Sequence, residues 1–222
     1  PRSRRDAGLS GEARSHRRGD ARRVVRHRRH RPRGRGRLPG HSIQQRLVRG
    51  AGSTRWNLEM APGHQRLHFR LGVVLDKMGD RDDSIIEMEK VIALDPEDAN
   101  ALNYLGYSLA EMGVRLEEAE EFIKRALEIK PEDGYITDSL GWVYFKMGRH
   151  SEALVWIQKA LDRLPEDPLI TEHLGDTYQA LGRWREAQEA YERALRLGHE
   201  NPEQLESKLE ESKKKARIEG TQ

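Results

Sequence analysis

The side chains of this chain best suited to chemistry are nine histidines and a dense set of carboxylates, and their spacing decides what they can do. His173 and Asp176 lie three apart on one helix face and could share a metal ion. Two ligands do not close a site, so a surface or capping role is expected. His16, His27, His30 and His41 fall in an Arg-rich stretch, and His150 and His199 fall at turns. The acid pairs Glu117-Glu118 and Glu120-Glu121 read as helix surface, not as acid–base dyads. The chain has no cysteine, which removes disulfides and thiolate chemistry. No glycine-rich loop followed by Lys-Ser/Thr is present to cradle a phosphate. No catalytic residue, metal or cofactor is expected, and the chain reads as a non-enzyme.

Charge divides the sequence in two. Residues 1–60 hold 18 Arg and no Lys against four acids, a net of +14, and the remainder holds 22 basic and 33 acidic residues, a net of −11. The run Arg22-Arg23-Val24-Val25-Arg26-His27-Arg28-Arg29-His30-Arg31 has neither helical nor alternating apolar period, and disorder is expected through about residue 63. Three readings stand for this segment: a nucleic-acid arm neutralising phosphates, a solvated tail, or the product of a wrong reading frame in GC-rich DNA. No aromatic residue precedes Trp56, so the arm would lack a stacking platform for bases. No apolar run approaches the ~18–20 residues that span a bilayer. The first residue is Pro1, not Met, as expected if the chain is a piece of a longer protein.

What would position any functional side chain is a repeat. Leu71-Gly72, Leu105-Gly106, Leu140-Gly141 and Leu174-Gly175 recur at steps of 34, 35 and 34 residues. A period of this size marks stacked units that bury their apolar faces only against neighbours. Small residues recur two helical turns apart in the second half of the units: Ala119 and Ala126, Ala153 and Ala160, Ala187 and Ala194. Glycine separates two helices within each unit, at Met78-Gly79, Met112-Gly113, Met147-Gly148 and Leu181-Gly182. Pro96, Pro131 and Pro165 close three units, each followed by Glu-Asp suited to the next helix N-terminus.

Helix, turn, helix and proline turn at this period resemble the tetratricopeptide repeat over about residues 65–199. The third unit matches best, with Leu140-Gly141, Tyr144, Ala153, Ile157, Ala160 and Pro165. The fourth has His199 in place of the proline, the second has an extra residue near Val114-Arg115, and the first has Ser84 and Val91 at the small positions. The wording around Tyr104-Leu105-Gly106-Tyr107 and Asp138-Ser139-Leu140-Gly141-Trp142 is similar to bacterial repeat proteins. The resemblance implies an all-α, right-handed α-solenoid with units at about 65–98, 99–133, 134–167 and 168–201. Residues 202–222 are expected to form a charged capping helix and tail, with Leu205 and Leu209 covering the last unit and nothing folded covering the first.

In proteins of this family the first helix of each unit lines a concave groove that takes a partner peptide or helix. Carried over by position, the groove is lined by Asn103, Tyr107, Tyr135, Asp138, Trp142, Phe145, Glu172 and Asp176. Aromatics with polar neighbours suit a peptide anchor, and the acids favour a basic or polar partner. The carboxylate-clamp pattern of chaperone-type members is absent, because Phe69 and Val73 occupy its first two slots. The expected function is protein–protein interaction. Nucleic-acid binding through the Arg-rich segment, or an accessory role within a larger bacterial assembly or enzyme, are the alternatives. The compartment stays open between cytoplasm and a periplasmic or outer-membrane location.

Overall fold

The computed structural model of the chain describes residues 49–54, 56 and 63–219. The expected disorder and the nucleic-acid arm of the Arg-rich segment fall largely outside the described residues. Among the described residues from Gln65 onward nine helices follow: α1 Gln65–Met78, α2 Arg81–Leu94, α3 Ala99–Met112, α4 Leu116–Ile129, α5 Gly134–Lys146, α6 His150–Arg163, α7 Pro168–Ala180, α8 Trp184–Arg196 and α9 Pro202–Glu219. No strand occurs among the described residues. Helices pair as α1 with α2, α3 with α4, α5 with α6 and α7 with α8, and each pair stacks on the next. This is the helix-pair solenoid that the period predicts, with α9 packed on α8 as its terminal helix.

The sequence punctuation acts at every boundary. Gly79, Gly113, Gly148 and Gly182 turn the chain with φ between +67° and +89°, where a Cβ would be strained. The acid after each closing proline caps the next helix. Asp98, Asp133 and Asp167 each accept backbone N–H bonds from the second and third helical residues, at 3.0–3.0, 2.9–3.2 and 3.0–3.0 Å. The extra residue of the second unit is absorbed at Arg115, a non-glycine residue at φ 51°, whose guanidinium bridges Glu118 and Glu89.

The Leu-Gly glycines are seats for the facing helix. A Cβ on Gly106 would lie 2.5 Å from Ile123 and 2.9 Å from the carbonyl oxygen of Ala119, and one on Gly175 would meet the ring of Tyr191 at 2.4 Å. Gly72 and Gly141 seat Met88 and Ile157 in the same way. The small residues Ala119, Ala126, Ala153, Ala160, Ala187 and Ala194 are fully buried where the helices cross. In the first unit Ser84 and Val91 take those places and are buried too. One feature differs from the expectation that nothing before Gln65 is folded. Residues 49–54 are helical, and Ala51 packs against the cluster of Leu71 and Leu75 on α1.

Candidate functional site

The first helices of successive units, α3, α5 and α7, bring the expected groove residues to one face, since these helices contact one another directly. Residues in equal register then stack from unit to unit. Asn103, Asp138 and Glu172 hold one row, three residues before the glycine, and Tyr107, Trp142 and Asp176 hold the next, one residue after it.

Within that face the side chains divide sharply. Tyr135 is 59% exposed and forms an accessible aromatic edge. Trp142 is only 7% exposed: it stacks on Phe145 at 4.7 Å between ring centroids and on His173 at 4.0 Å. Its indole N–H donates to Glu111, and the Lys146 ammonium lies 5.0 Å from its ring. Trp142 is therefore wall as much as surface. Tyr107 and Phe145 are half-buried. Burial pushes the Tyr107 phenol well above its ordinary value, and the carboxylates of Glu111, Asp138, Glu172 and Asp76 push it further. Tyr107 thus lies in a field of four acids and stays protonated.

The pairing of His173 differs from the sequence expectation. The spacing offers Asp176 as a possible co-ligand and favours a surface or capping role; in the structure the ring is instead buried, and its Nδ1 meets Asp138 of the preceding unit at 2.9 Å. Asp176 turns instead to Lys208 at 2.7 Å and to the Tyr191 hydroxyl at 2.8 Å. Residues three apart on a helix share a face, but packing against the neighbouring unit gave each a nearer partner. Among the described residues no three His, Asp or Glu side chains group as metal ligands.

Burial alone would lower the His173 pKa, but Asp138, with Asp176 and Glu172 behind it, outweighs burial and raises it. The folded-state pKa thus exceeds the ordinary value of 6.5. The contribution of this pair to stability is complete below pH 6.5 and is lost as pH rises through the folded value. We expect the His173 ring resonance to titrate with a midpoint above 6.5, and unfolding free energy to fall as pH rises above 6.5. Asp138→Asn should lower that midpoint. A wild-type midpoint at or below 6.5 would remove the assigned charge on this pair.

At the C-terminal end of this face the acids are covered. Lys208 of α9 reaches Glu172 at 2.8 Å as well as Asp176, and His199 binds the other Glu172 oxygen at 2.6 Å. Burial would raise the Glu172 pKa, but Lys208, His199 and His173 lower it, so the acid stays ionised. Glu172 and Asp176, expected as open groove acids, are thus occupied by the chain's own terminal helix. Neither Lys208 nor His199 was singled out for this, although a signal existed. Lys208 stands 34 residues after Leu174, so a lysine occupies the leucine position of the next Leu-Gly pair. An unmatched charge at a core register calls for a counter-charge in the unit before it.

In the middle of the face two acceptors have no hydrogen-bond partner among the described residues. They are Asp138 Oδ1 and Asn103 Oδ1, both buried. No helix among the described residues is long and apolar enough to cross a membrane.

Residues 69–134 and 144–209 each match a model described as tetratricopeptide repeat. Over 100 residues, 43% of its length, the chain is 36% identical to a TPR repeat-containing protein of Pseudomonas aeruginosa. Over 99 residues, 44% of its length, it is 34% identical to the protein O-mannosyl-transferase Tmtc1 of Drosophila melanogaster. The matches span only 16% and 12% of these two relatives. Among solved structures, a thermophilic TPR protein of Thermus thermophilus shares the fold with a TM-score of 0.64 at 21% identity, over 75% of this chain and 90% of that one.

Proposed function

Because the chain belongs to the tetratricopeptide repeat family, we propose that it is a protein-interaction module that binds a partner segment on the face formed by α3 and α5. The segment is a peptide or helix, and the module itself is non-catalytic. The observation that carries this reading is the contrast along the face. Its C-terminal acids are satisfied by Lys208, while α3 and α5 carry a half-buried Tyr107, an exposed Tyr135 and two buried acceptors that no described residue satisfies. Buried polar groups are nearly always paired, so unpaired ones beside aromatic edges support a contact made by something else. The binding residues are Asn103, Tyr107, Tyr135, Asp138 and Phe145. Trp142 holds them in place, and Glu172 with Asp176 anchors the terminal helix. The test is a random peptide display selection on the full chain, followed by affinities of the selected peptides. Tyr135→Ala and Tyr107→Leu are expected to weaken them by about tenfold each, the size of a modest hot spot. Unchanged affinity in both variants, with folding intact, would move the binding surface elsewhere.

A second reading concerns context. The matched region occupies a small share of both curated relatives, which supports a role for these repeats as the partner-binding part of a larger assembly.

A further inference from the structure

We propose that the recess between α3 and α5 receives a lysine or arginine side chain of the partner segment, with the side-chain oxygens of Asp138 and Asn103 as its acceptors. This rests on the groove reading above and adds the chemistry of what is bound.

Four observations converge on a cation. Asp138 is 5% exposed, and while one of its oxygens pairs with His173, Oδ1 has no partner. A buried carboxylate oxygen left unpaired is costly, and a charged donor is the group that recovers most from meeting it. Asn103, whose Oδ1 is the second such oxygen, holds the same register one unit earlier on a helix that contacts α5. The neighbouring charge has the right sign: the Tyr107 phenol, raised first by burial, is raised further by the carboxylates of Glu111, Asp138, Glu172 and Asp76.

The fourth observation is internal. In the last unit the residue in the Asp138 register is Glu172, and it does hold a lysine. Lys208 enters there from a helix laid against the array and bonds Glu172 and Asp176 together, at 2.8 and 2.7 Å. A carboxylate at this register therefore holds a lysine elsewhere in the same chain. The other acids nearby are engaged. Asp76 accepts from Tyr104 at 2.8 Å, and Glu111 accepts from Trp142 with Lys146 3.8 Å away. That leaves Asp138 and Asn103 as the acceptors open to a partner. Reaching them requires side-chain rotation at the recess, a common change when interfaces form.

The peptides selected on the full chain provide the test. Lysine or arginine is expected at one fixed position among them, and its replacement by norleucine should weaken binding about tenfold or more. Asp138→Asn should cause a similar loss for the cationic peptide and little for its norleucine counterpart, so that the two changes couple in a double-mutant cycle. Circular dichroism and urea unfolding establish that the variant is folded. Asn103→Asp leaves the Asp138–His173 pair intact, adds a carboxylate to the recess, and is expected to tighten the cationic peptide severalfold. Peptides that depend on Tyr107 and Tyr135 but carry no required cation, or affinities indifferent to Asp138→Asn and Asn103→Asp, would overturn the cation site and leave the groove standing. In that event the two oxygens are satisfied by internal water only. Peptides indifferent to all four variants, or a selection that yields none, would overturn both.

Discussion

Replacing Trp142 by alanine is expected to cost about 3–5 kcal/mol of folding stability, read as a fall in urea midpoint with an unchanged slope. The position looks like a binding anchor in the sequence, where an aromatic with polar neighbours on a concave face suggests a partner. Its surroundings make it a structural member. The ring lies between Phe145 of its own helix and His173 of the next unit, nearly parallel to both, at interplanar angles of 4° and 16°. Removing it opens a cavity between two units and frees one side of the buried imidazole. It also deprives Glu111 of its indole donor, leaving that carboxylate to the more distant Lys146. Trp142→Phe keeps the stack and loses only the N–H, and should cost about 1–2 kcal/mol. Because the alanine variant loosens the face on which partner contacts are proposed, weaker binding in it would not identify a contact. The more exposed Tyr135 and Tyr107 serve that purpose. A loss under about 1 kcal/mol for Trp142→Ala, in the range of ordinary surface substitutions, would place the ring outside the core.

Lys208→Met should destabilise the C-terminal end by about 2–4 kcal/mol. Methionine keeps much of the apolar stem but leaves Glu172 and Asp176 without their shared cation. Breaking one partner of a fully buried ion pair typically costs about 3–5 kcal/mol. A smaller figure is expected here because Lys208 is partly open to solvent and because His199 and Tyr191 still donate to the two acids. The loss should be local. Amide exchange should rise through α9 and at the Ala187, Tyr191 and Ala194 face it covers, with little change in α3 to α6. In the background of Glu172→Gln together with Asp176→Asn the effect of Lys208→Met should shrink to well under half, because no charge remains to be stranded. An undiminished effect there would mean that the lysine acts through its stem and not its charge.

Much of the fold was legible because the signals that carry it are local. A glycine that must turn left-handed, an aspartate that caps the next helix, and a glycine that seats a facing ring each act within a few residues of their place. They recur at a fixed step, so every unit repeats the evidence. Even the irregularity near Val114-Arg115 was visible as a residue out of count, and it appears as the single positive-φ non-glycine residue among those described. The helical residues before Gln65 were not legible: the contact described there is Ala51 on Leu71 and Leu75, and a single alanine carries no periodic signal.

The candidate site was legible in part. Register alone places Asn103, Tyr107, Asp138, Trp142, Glu172 and Asp176 on one face, because helical geometry and the repeat step decide which residues align. Which of them remain available to a partner depends on distances of a few ångströms between units. His173 chose Asp138 across the interface over Asp176 on its own helix, and Lys208 closed over two acids that otherwise look open. The architecture and the face thus follow from residue order, since both rest on short-range geometry repeated along the chain. The pairing of charges on that face does not, because it depends on how the units pack. A buried charge takes the nearest partner that survives desolvation, and that partner is set by how one unit lies on the next.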